Sequence, residues 1–334
     1  MNYKPKNILV TGAAGFIGSN YLRMMLKKYN DVKIISYDKL TYAGSMDNLS
    51  KLSNEHNHTF VKGCICDEDQ VSSTLREHKI DTIVHFAAES HVDNSITGPK
   101  VFLETNIMGT FNLLNCAKKY WLDDLGLDET NCKFHHVSTD EVYGTLSKTD
   151  PAFTEDKAYE PNSPYSASKA GSDHIVRAYH HTYKLPVTIS NCSNNYGPYQ
   201  HPEKLIPVVI KSCIELNAIP VYGDGSNIRD WLYVTDHCDA IQAVVEKGVI
   251  GEVYNVGGIN EVDNLTLVHT ICKLMDDYKP ENSPHSQLIK FVEDRKGHDW
   301  RYAIDNSKIQ NDLGWKPSQD FEKMFKQTIE FYLD

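Results

Sequence analysis

The chain has 334 residues and a formal net charge of −11, from 34 Lys and Arg against 45 Asp and Glu. This acidic balance argues against a general nucleic-acid or membrane-surface binder, because phosphate backbones select for clustered Lys and Arg. With 40% hydrophobic and 24% charged residues, the composition also excludes a disordered or collagen-like chain.

Short apolar runs alternate with helix-length amphipathic segments through the first half of the chain. The apolar runs predict buried strands over residues 7–10, 32–37, 59–61, 82–86 and 133–137. The segments between them predict helices over residues 16–29, 68–78 and 99–120. This alternation predicts an α/β fold with a Rossmann-like, doubly wound parallel sheet.

The second half of the chain opens with a long predicted helix over residues 164–183, with Pro at its start, and a strand over 187–190. The alternation then loosens, and strand-like segments at 229–234, 252–256, 288–292 and 302–304 precede a closing helix from about residue 321. Because no Gly/Ser-rich linker separates the halves, we expect an interleaved, smaller C-terminal lobe. We assign residues 1–190 and about 231–256 to the larger domain, and about 191–230 and 257–334 to the lobe.

The eight cysteines are scattered, which predicts reduced thiols and no metal site. Only Cys64 and Cys66 are close in sequence, and they lack a second pair or a nearby His at metal-ligand spacing. No apolar run is long enough to span a bilayer, and no signal peptide is visible. We therefore expect a cytoplasmic protein.

A glycine-rich turn with the spacing GxxGxxG (residues 12–18) joins the first predicted strand to the first predicted helix. Such glycines let the backbone approach a pyrophosphate at the helix N-terminus, where unpaired N–H groups favour negative charge. Alone, the turn is equally compatible with a tight connection that binds nothing. Asp38, twenty residues after Gly18, adds a carboxylate that can bind both ribose hydroxyls of NAD and repel the extra phosphate of NADP. Together they predict NAD binding.

Two polar clusters follow the fifth predicted strand. Thr139, Asp140 and Glu141 come just past its carboxyl end, where open parallel sheets bind ligands. Tyr165 and Lys169 share one face of the next helix, and a nearby ammonium lowers the pKa of a tyrosine that acts as a base. Oxidation of an alcohol by NAD needs no further acid or base. The acidic pair therefore suggests a second step, such as elimination of water, although acidic residues also favour a first helical turn.

The Thr and Tyr–Lys clusters resemble the extended short-chain dehydrogenase/reductase superfamily, and longer motifs resemble its dTDP-glucose 4,6-dehydratase family. These motifs are DKLTYAG at 38–44, HFAAESHVD at 85–93, NNYGPY at 194–199, EKLIP at 203–207, RDWLYV at 229–234 and DRKGHD at 294–299. The resemblance extends from the first strand to about Asp305. It implies NAD in the larger domain, dTDP-glucose in the lobe, and a place in deoxysugar biosynthesis of the rhamnose type.

The resemblance also implies a reaction in three steps, which yields dTDP-4-keto-6-deoxyglucose. Tyr165, helped by Thr139, takes the proton of the hydroxyl on carbon 4 while a hydride passes to NAD. Glu141 then removes the proton from carbon 5, and Asp140 protonates the hydroxyl leaving carbon 6. The hydride finally returns to carbon 6. Asp140 must be protonated to act as the acid, and burial beside Glu141 favours that state.

The family pattern carries over to two sets of binding residues. The residues implied to bind the cofactor are Gly12, Gly15, Phe16, Ile17, Gly18, Asp38, Lys39, Thr41, Cys64, Ile65, Ala87, Tyr165 and Lys169. Those implied to bind the nucleotide sugar are Ser90, Asn195, Lys204, Leu205, Tyr222, Arg229, Asn264, Arg295 and His298. Within the second set, Tyr222 corresponds to the residue that stacks on thymine. The family also implies a homodimer formed by the helices over 99–120 and 164–183.

Three departures from the family pattern lie outside the proposed acid, base and hydride path. Cys64 stands where the family usually has an Asp that bonds the adenine amino group, Asn94 replaces an Arg, and Gln200-His201 replaces His-Phe. Three alternatives stay open at this point. They are a nucleotide-sugar 4-epimerase, which has no need of Asp140 and Glu141, a 4,6-dehydratase for a UDP- or CDP-sugar, and a non-catalytic NAD-binding regulator, against which the intact catalytic sets argue.

Overall fold

The computed structural model describes residues 3–294 and 297–333. Its strands are β1 (Asn7–Thr11), β2 (Lys33–Asp38), β3 (His58–Lys62), β4 (Thr82–His85), β5 (Lys133–Thr139), β6 (Val187–Cys192), β7 (Asn194–Tyr196), β8 (Ile219–Tyr222), β9 (Ile228–Tyr233), β10 (Val253–Val256), β11 (Glu261–Asp263) and β12 (Ile289–Val292). Its α-helices are α1 (Phe16–Lys28), α2 (Glu68–Glu77), α3 (Val92–Thr97), α4 (Pro99–Phe102), α5 (Thr110–Lys118), α6 (Pro164–Tyr183), α7 (Leu205–Glu215), α8 (Val234–Lys247), α9 (Asn264–Tyr278), α10 (Ser307–Leu313) and α11 (Phe321–Leu333).

A seven-stranded parallel sheet is the largest layer, in the order β10-β6-β5-β4-β1-β2-β3. Its central strands are buried on both faces, which is why they appear in the sequence as apolar runs without strict alternation. The strand order reverses between β1 and β4, and such a switch point opens a crevice beyond the carboxyl ends of the strands. The prediction of a Rossmann-like doubly wound sheet is confirmed.

Helices cover both faces of this sheet. One core packs between the sheet and α2, α5 and α6, around Trp121 and Phe134. A second core packs on the other face, where side chains of α1 and α8 meet Ile8 and Val84. Helices therefore cover both faces of the sheet, and the edge formed by the carboxyl ends of its strands remains open for a ligand.

Two small sheets form outside this layer. The first has the order β11-β9-β7, and the second pairs β12 with β8. Helices α7, α9 and α11 enclose a separate apolar core beside them, whereas β10 returns to the large sheet. The division into a larger domain and a lobe at the bounds given above stays a prediction.

The helical segment after residue 98 differs from the single helix predicted over 99–120. Short α4 and α5 are separated by a wider, π-helical stretch over Leu103–Gly109, and another follows over Lys119–Asp124. The predicted strand at 302–304 is also wrong. Instead, Arg301 forms an isolated β-bridge with Ile228, and Ile304 forms one with Phe153. The segment thus contacts two different partners and does not continue as a strand along either of them.

None of the described helices is long and apolar enough to cross a bilayer. Likewise, no three His, Cys, Asp or Glu side chains of residues 3–294 and 297–333 converge as ligands for a metal ion.

Candidate active site

A cavity of about 320 Å³ lies at the open edge of the large sheet. Residues that follow β1, β2, β4 and β5 line it, as the switch point in strand order requires. Every residue expected above to bind the cofactor is in its wall, and so are Thr139 and Glu141. The structure therefore brings the expected cofactor residues and most of the expected catalytic residues to one place.

The glycine-rich turn forms one end of the cavity, and two of its glycines cannot carry a side chain. Gly12 has a φ of +68°, and a Cβ there would lie 2.7 Å from the Ala87 backbone nitrogen. A Cβ on Gly18 would lie 2.3 Å from the Gly12 carbonyl oxygen. Gly15 precedes α1 without a side-chain cap, so the first N–H groups of that helix remain free to bind an anion.

Asp38 ends β2 and turns its carboxylate toward this turn. Its Oδ2 accepts a hydrogen bond from the Ala14 N–H at 2.9 Å, and its Oδ1 accepts one from the Leu40 N–H at 2.8 Å. Burial raises the pKa of Asp38, and these two hydrogen bonds act in the opposite direction. The carboxylate is thus fixed in orientation at the point where a ribose bound over the glycine turn would present its hydroxyls.

Thr139 ends β5 and caps a 3-10 turn over Asp140–Tyr143, in which its hydroxyl accepts a hydrogen bond from the Glu141 N–H. This turn separates the two carboxyl groups. Glu141 lines the cavity, whereas Asp140 is 1% exposed, lies outside the lining, and has one oxygen without a partner among the described residues. Burial first, and the Glu141 charge second, raise the pKa of Asp140 well above its usual range.

Tyr165 and Lys169 come from the first two turns of α6, which begins with a capping box between Ser163 and Ser166. Lys169 is 5% exposed and donates a hydrogen bond to the Val137 carbonyl at 2.8 Å. Burial lowers the pKa of its ammonium.

The tyrosine differs from the sequence expectation. Burial, followed by the charge of Glu141, raises the pKa of Tyr165 well above its usual value, and only a hydrogen bond with Thr139 acts in the opposite direction. The expectation that the pKa of Tyr165 lies below its usual value is therefore wrong for the protein alone. Burial and negative neighbours outweigh the ammonium, whose hydrogen bond goes to a backbone carbonyl instead.

Three of the residues expected to bind the nucleotide sugar line the cavity, namely Ser90, Asn195 and Lys204. Lys204 links two of its walls, because its ammonium donates a hydrogen bond to the Ser90 carbonyl at 3.2 Å. Leu205 starts α7 and packs against the core of the small sheets.

The other expected sugar-binding residues that the structure describes lie outside the cavity wall. Arg229, on β9, is buried, donates hydrogen bonds to the carbonyls of Ile228 and Asp299, and lies over the Tyr302 ring at 4.3 Å. Tyr222 ends β8 with its side chain 40% exposed, and Asn264 starts α9. His298 Nδ1 lies 2.7 Å from an oxygen of Asp294. Arg295 lies outside the described residues.

Sequence reasoning missed several residues of the cavity wall. Thr105 belongs to the π-helical stretch, which has no local signal in the sequence. Glu89 lies inside a motif quoted above. Its loop is held by Asn106, which bonds both its backbone N–H and its carbonyl. Gln200 is in the wall too, and its carbonyl accepts a hydrogen bond from the Tyr332 hydroxyl at 2.7 Å, near the end of the chain.

Comparison with known proteins identifies the family. A family model described as GDP-mannose 4,6 dehydratase matches residues 9–328. The dTDP-glucose 4,6-dehydratase of Salmonella typhimurium is 51% identical over 335 residues, covering 98% of this chain and 92% of that protein. The enzyme of the same name from Xanthomonas campestris pv. campestris is 52% identical over 329 residues, covering 97% and 92%. The chain belongs to the dTDP-glucose 4,6-dehydratase family.

Solved structures agree with this family. The dTDP-glucose 4,6-dehydratase DesIV of Streptomyces venezuelae, solved with NAD bound, is 44% identical with a TM-score of 0.88, covering 98% of this chain and 97% of that one. A UDP-glucose 4-epimerase of Thermotoga maritima reaches a TM-score of 0.85 at 28% identity, with 98% of both chains covered. The dehydratase family thus shares its fold with epimerases, and sequence identity separates the two.

Proposed function

We propose that this chain catalyses the NAD-dependent dehydration of dTDP-glucose to dTDP-4-keto-6-deoxyglucose, a hydro-lyase reaction of deoxysugar biosynthesis. The observation that carries the proposal is the pairing of Glu141 in the cavity wall with a buried Asp140 directly beside it, whose pKa is raised first by burial and then by the Glu141 charge. A 4-epimerase needs neither group. Relatives at about half identity over nearly the whole chain carry the dehydratase name.

The residues at the glycine-rich end of the cavity fit NAD. Gly12 and Gly18 leave space that any side chain would close, and Asp38 presents a fixed carboxylate. When bound, NAD supplies the acceptor and later the donor of a hydride. The cofactor roles of the other wall residues named above, from Lys39 to Ala87, are part of this proposal.

The chemistry of the chain's own groups follows from their surroundings. Tyr165 takes the proton of the sugar hydroxyl, and its hydrogen bond with Thr139 stabilises the phenolate that must form. Glu141, which reaches the cavity, takes the proton from carbon 5. Asp140, whose pKa is raised by burial, gives its proton to the departing hydroxyl. Two adjacent carboxyl groups thereby serve as base and acid.

For the nucleotide sugar, we propose Ser90, Asn195 and Lys204 at the cavity and Leu205, Tyr222, Arg229, Asn264 and His298 beyond it. Arg295 is proposed on the family pattern alone. Lys204 supports this extension, because it lies where the cavity wall meets α7. The buried guanidinium of Arg229 is already oriented by backbone carbonyls, so little side-chain entropy is lost when it meets a phosphate.

We also propose a homodimer. Apolar side chains are exposed along the segment from α3 to α5 and at the end of α6, namely Ile96, Val101, Leu103, Met108, Phe111 and Tyr183. Large apolar side chains exposed along one segment are typical of a protein interface. A cytoplasmic location is proposed on the eight free thiols.

The substrate assay tests the function directly. The purified protein, incubated with dTDP-glucose and no added reductant, should give a product with the near-ultraviolet absorbance in alkali of 4-keto-6-deoxy sugars. UDP- and CDP-glucose should react poorly. Formation of the galactose epimer alone would contradict the proposal.

A variant separates elimination from oxidation. Glu141→Gln should lower product formation about a hundredfold or more but still allow slow appearance of NADH absorbance in a single turnover. Glu160→Gln, an exposed carboxylate paired with Lys157, is the control and should change neither signal. If Glu141→Gln abolishes NADH formation, Glu141 acts in the oxidation instead.

A further inference from the structure

Three ionisable side chains meet in the interior beside the cavity. Lys169, His136 and Asp173 are 5%, 0% and 2% exposed. Lys169 and Asp173 lie one turn apart on α6 and continue the spacing that starts at Tyr165, so the three α6 residues form one stripe along the helix. The stripe leads from the proposed base into the protein and ends at a carboxylate to which no role has been assigned so far.

His136, on β5, lies between the other two. Its Nε2 is 3.5 Å from the Lys169 ammonium nitrogen and 3.1 Å from Asp173 Oδ1. The second oxygen, Oδ2, accepts hydrogen bonds from the Ser138 hydroxyl at 2.8 Å and from the Tyr159 hydroxyl at 3.1 Å. Oδ1 receives no directed hydrogen bond from the described residues. One oxygen of the Asp173 carboxylate is thus held by two hydrogen bonds, and the other oxygen, which faces His136, accepts none from the described residues.

A buried and half-satisfied carboxylate is costly, since its lost hydration exceeds what two neutral donors return. Burial raises the pKa of Asp173 to about 6, and the Lys169 charge is the main influence in the other direction. Conversely, Asp173 is the main group that raises the pKa of Lys169 against burial. Each of the two charges therefore depends on the other.

The other titratable neighbours do not replace this pair. His85, on β4, and His136 are held neutral, because burial lowers the pKa of both. Cys192, on β6, stays a thiol, because burial raises its pKa. Glu141 and Asp140 face Tyr165 from the 3-10 turn. On the far side of Asp173 stand Tyr159, Tyr143 and His174.

We propose that Asp173 is a positioning residue, whose buried carboxylate keeps the Lys169 ammonium charged so that Lys169 can favour the phenolate of Tyr165 during the reaction. The inference rests on the proposed function, because that function makes Tyr165 the base. It also explains how a lysine so deeply buried can keep its proton. Asp173 acts through Lys169 and does not line the cavity.

The Asp173→Asn variant tests the charge while keeping the shape and the acceptor for Ser138 and Tyr159. In full-length protein with ¹³C-labelled lysine, the Lys169 side-chain signal is assigned by its loss in Lys169→Met and followed against pH. We expect its midpoint to fall by about one pH unit or more in Asp173→Asn. An unchanged midpoint would overturn the proposal. This measurement needs no substrate, so it stands even if the proposed dehydration fails.

Turnover of dTDP-glucose gives a second readout. In Asp173→Asn, kcat at neutral pH should fall about tenfold, and the loss should grow as the pH rises and more of Lys169 becomes neutral, with KM nearly unchanged. A purely structural role would lower kcat equally at every pH, and that result would contradict the proposal.

The neighbouring residue supplies a matched control. His135 is equally buried but points to the opposite face of β5, where its ring nitrogens lie 2.9 Å from the Thr188 hydroxyl and 3.1 Å from the Ser190 hydroxyl. His135→Asn should leave the Lys169 midpoint and the pH profile unchanged.

If Asp173→Asn does not fold, Asp173→Ser removes the carboxylate and leaves a smaller, neutral hydroxyl in its place. The Lys169 midpoint should then fall in the same direction as in Asp173→Asn. A midpoint that stays in place would reject the proposal.

Discussion

Asp140 and Glu141 are adjacent in sequence, yet the protein gives them opposite surroundings. The turn capped by Thr139 sends one carboxyl group into the interior and the other into the cavity. Because burial favours the neutral form, two acidic side chains acquire the properties of an acid and a base without any other chemical difference.

Asp140 should therefore destabilise the folded protein at the pH where it serves the reaction. Its folded-state pKa is raised by burial. Stability from the bound proton is thus complete below the unfolded pKa and is lost as the pH rises through the folded one. Asp140→Asn should raise Tm at mildly alkaline pH, have little effect at strongly acidic pH, and abolish product formation. Thermal unfolding across pH measures this, and a Tm below wild type at alkaline pH would contradict it.

Cys64 is a second residue whose position leads to a prediction, this time about the affinity for NAD. It lines the cavity at the position where the family usually has an Asp. Cys64→Asp should restore a charged acceptor for the adenine amino group and strengthen NAD binding about tenfold, since a hydrogen bond to a charged group contributes about 1.5–3 kcal/mol. Isothermal titration with NAD measures it. Cys66→Asp, exposed and outside the lining, is the control, and equal effects of both changes would refute a specific contact.

At the scale of the element, α6 carries the proposed base Tyr165 together with Lys169. Its start is fixed by Pro164 and by the reciprocal bonds of Ser163 and Ser166. Tyr165 directly follows Pro164, so the cap that fixes the first turn of α6 also fixes the position of the base. The start of α1 differs, because its first N–H groups have no side-chain cap and remain available for a ligand.

Ser163→Ala should lower the free energy of unfolding by about 1 kcal/mol, because the first turn of α6 loses its cap. Since Tyr165 lies two residues further on, kcat should fall as well, with KM little affected. Chemical denaturation and steady-state kinetics measure the two effects. Ser73→Ala, on an exposed face of α2, should change neither, and a stable but fully active Ser163→Ala protein would show that the cap does not hold the base.

At the scale of the whole molecule, the acidic chain exposes apolar side chains along the segment from α3 to α5. A charge placed there should prevent the proposed association. Met108, 54% exposed, can be changed to Glu, and sedimentation velocity should then show a monomer where the wild type is a dimer. Val249→Glu, at a residue 58% exposed elsewhere on the molecule, should leave the dimer intact. A monomeric wild type would remove the basis of the homodimer proposal.

The large sheet was predictable because its strands are local apolar runs bounded by turn residues. The cofactor end of the cavity was predictable for a related reason. A glycine turn and an acidic residue at the end of the second strand are sequence-local signals, and Gly12 and Asp38 lie as expected.

Other features depend on packing that no local pattern records. The strand predicted over 229–234 gave no sign that α8 starts at its last residue, because no turn residue separates the two. The pKa of Tyr165 depends on burial and on Glu141, which outweigh a lysine one turn away. Thr105 reaches the cavity only through the π-helical stretch.

The bond from Tyr332 to Gln200 has a practical consequence for handling the protein. The last turn of α11 supports the wall of a cavity that begins with the first strand, and Phe331 packs on Tyr199 beside it, with ring centroids 4.6 Å apart. Removal of the last turn of α11 would therefore take away the support of the Gln200 segment and disturb the reaction chamber itself.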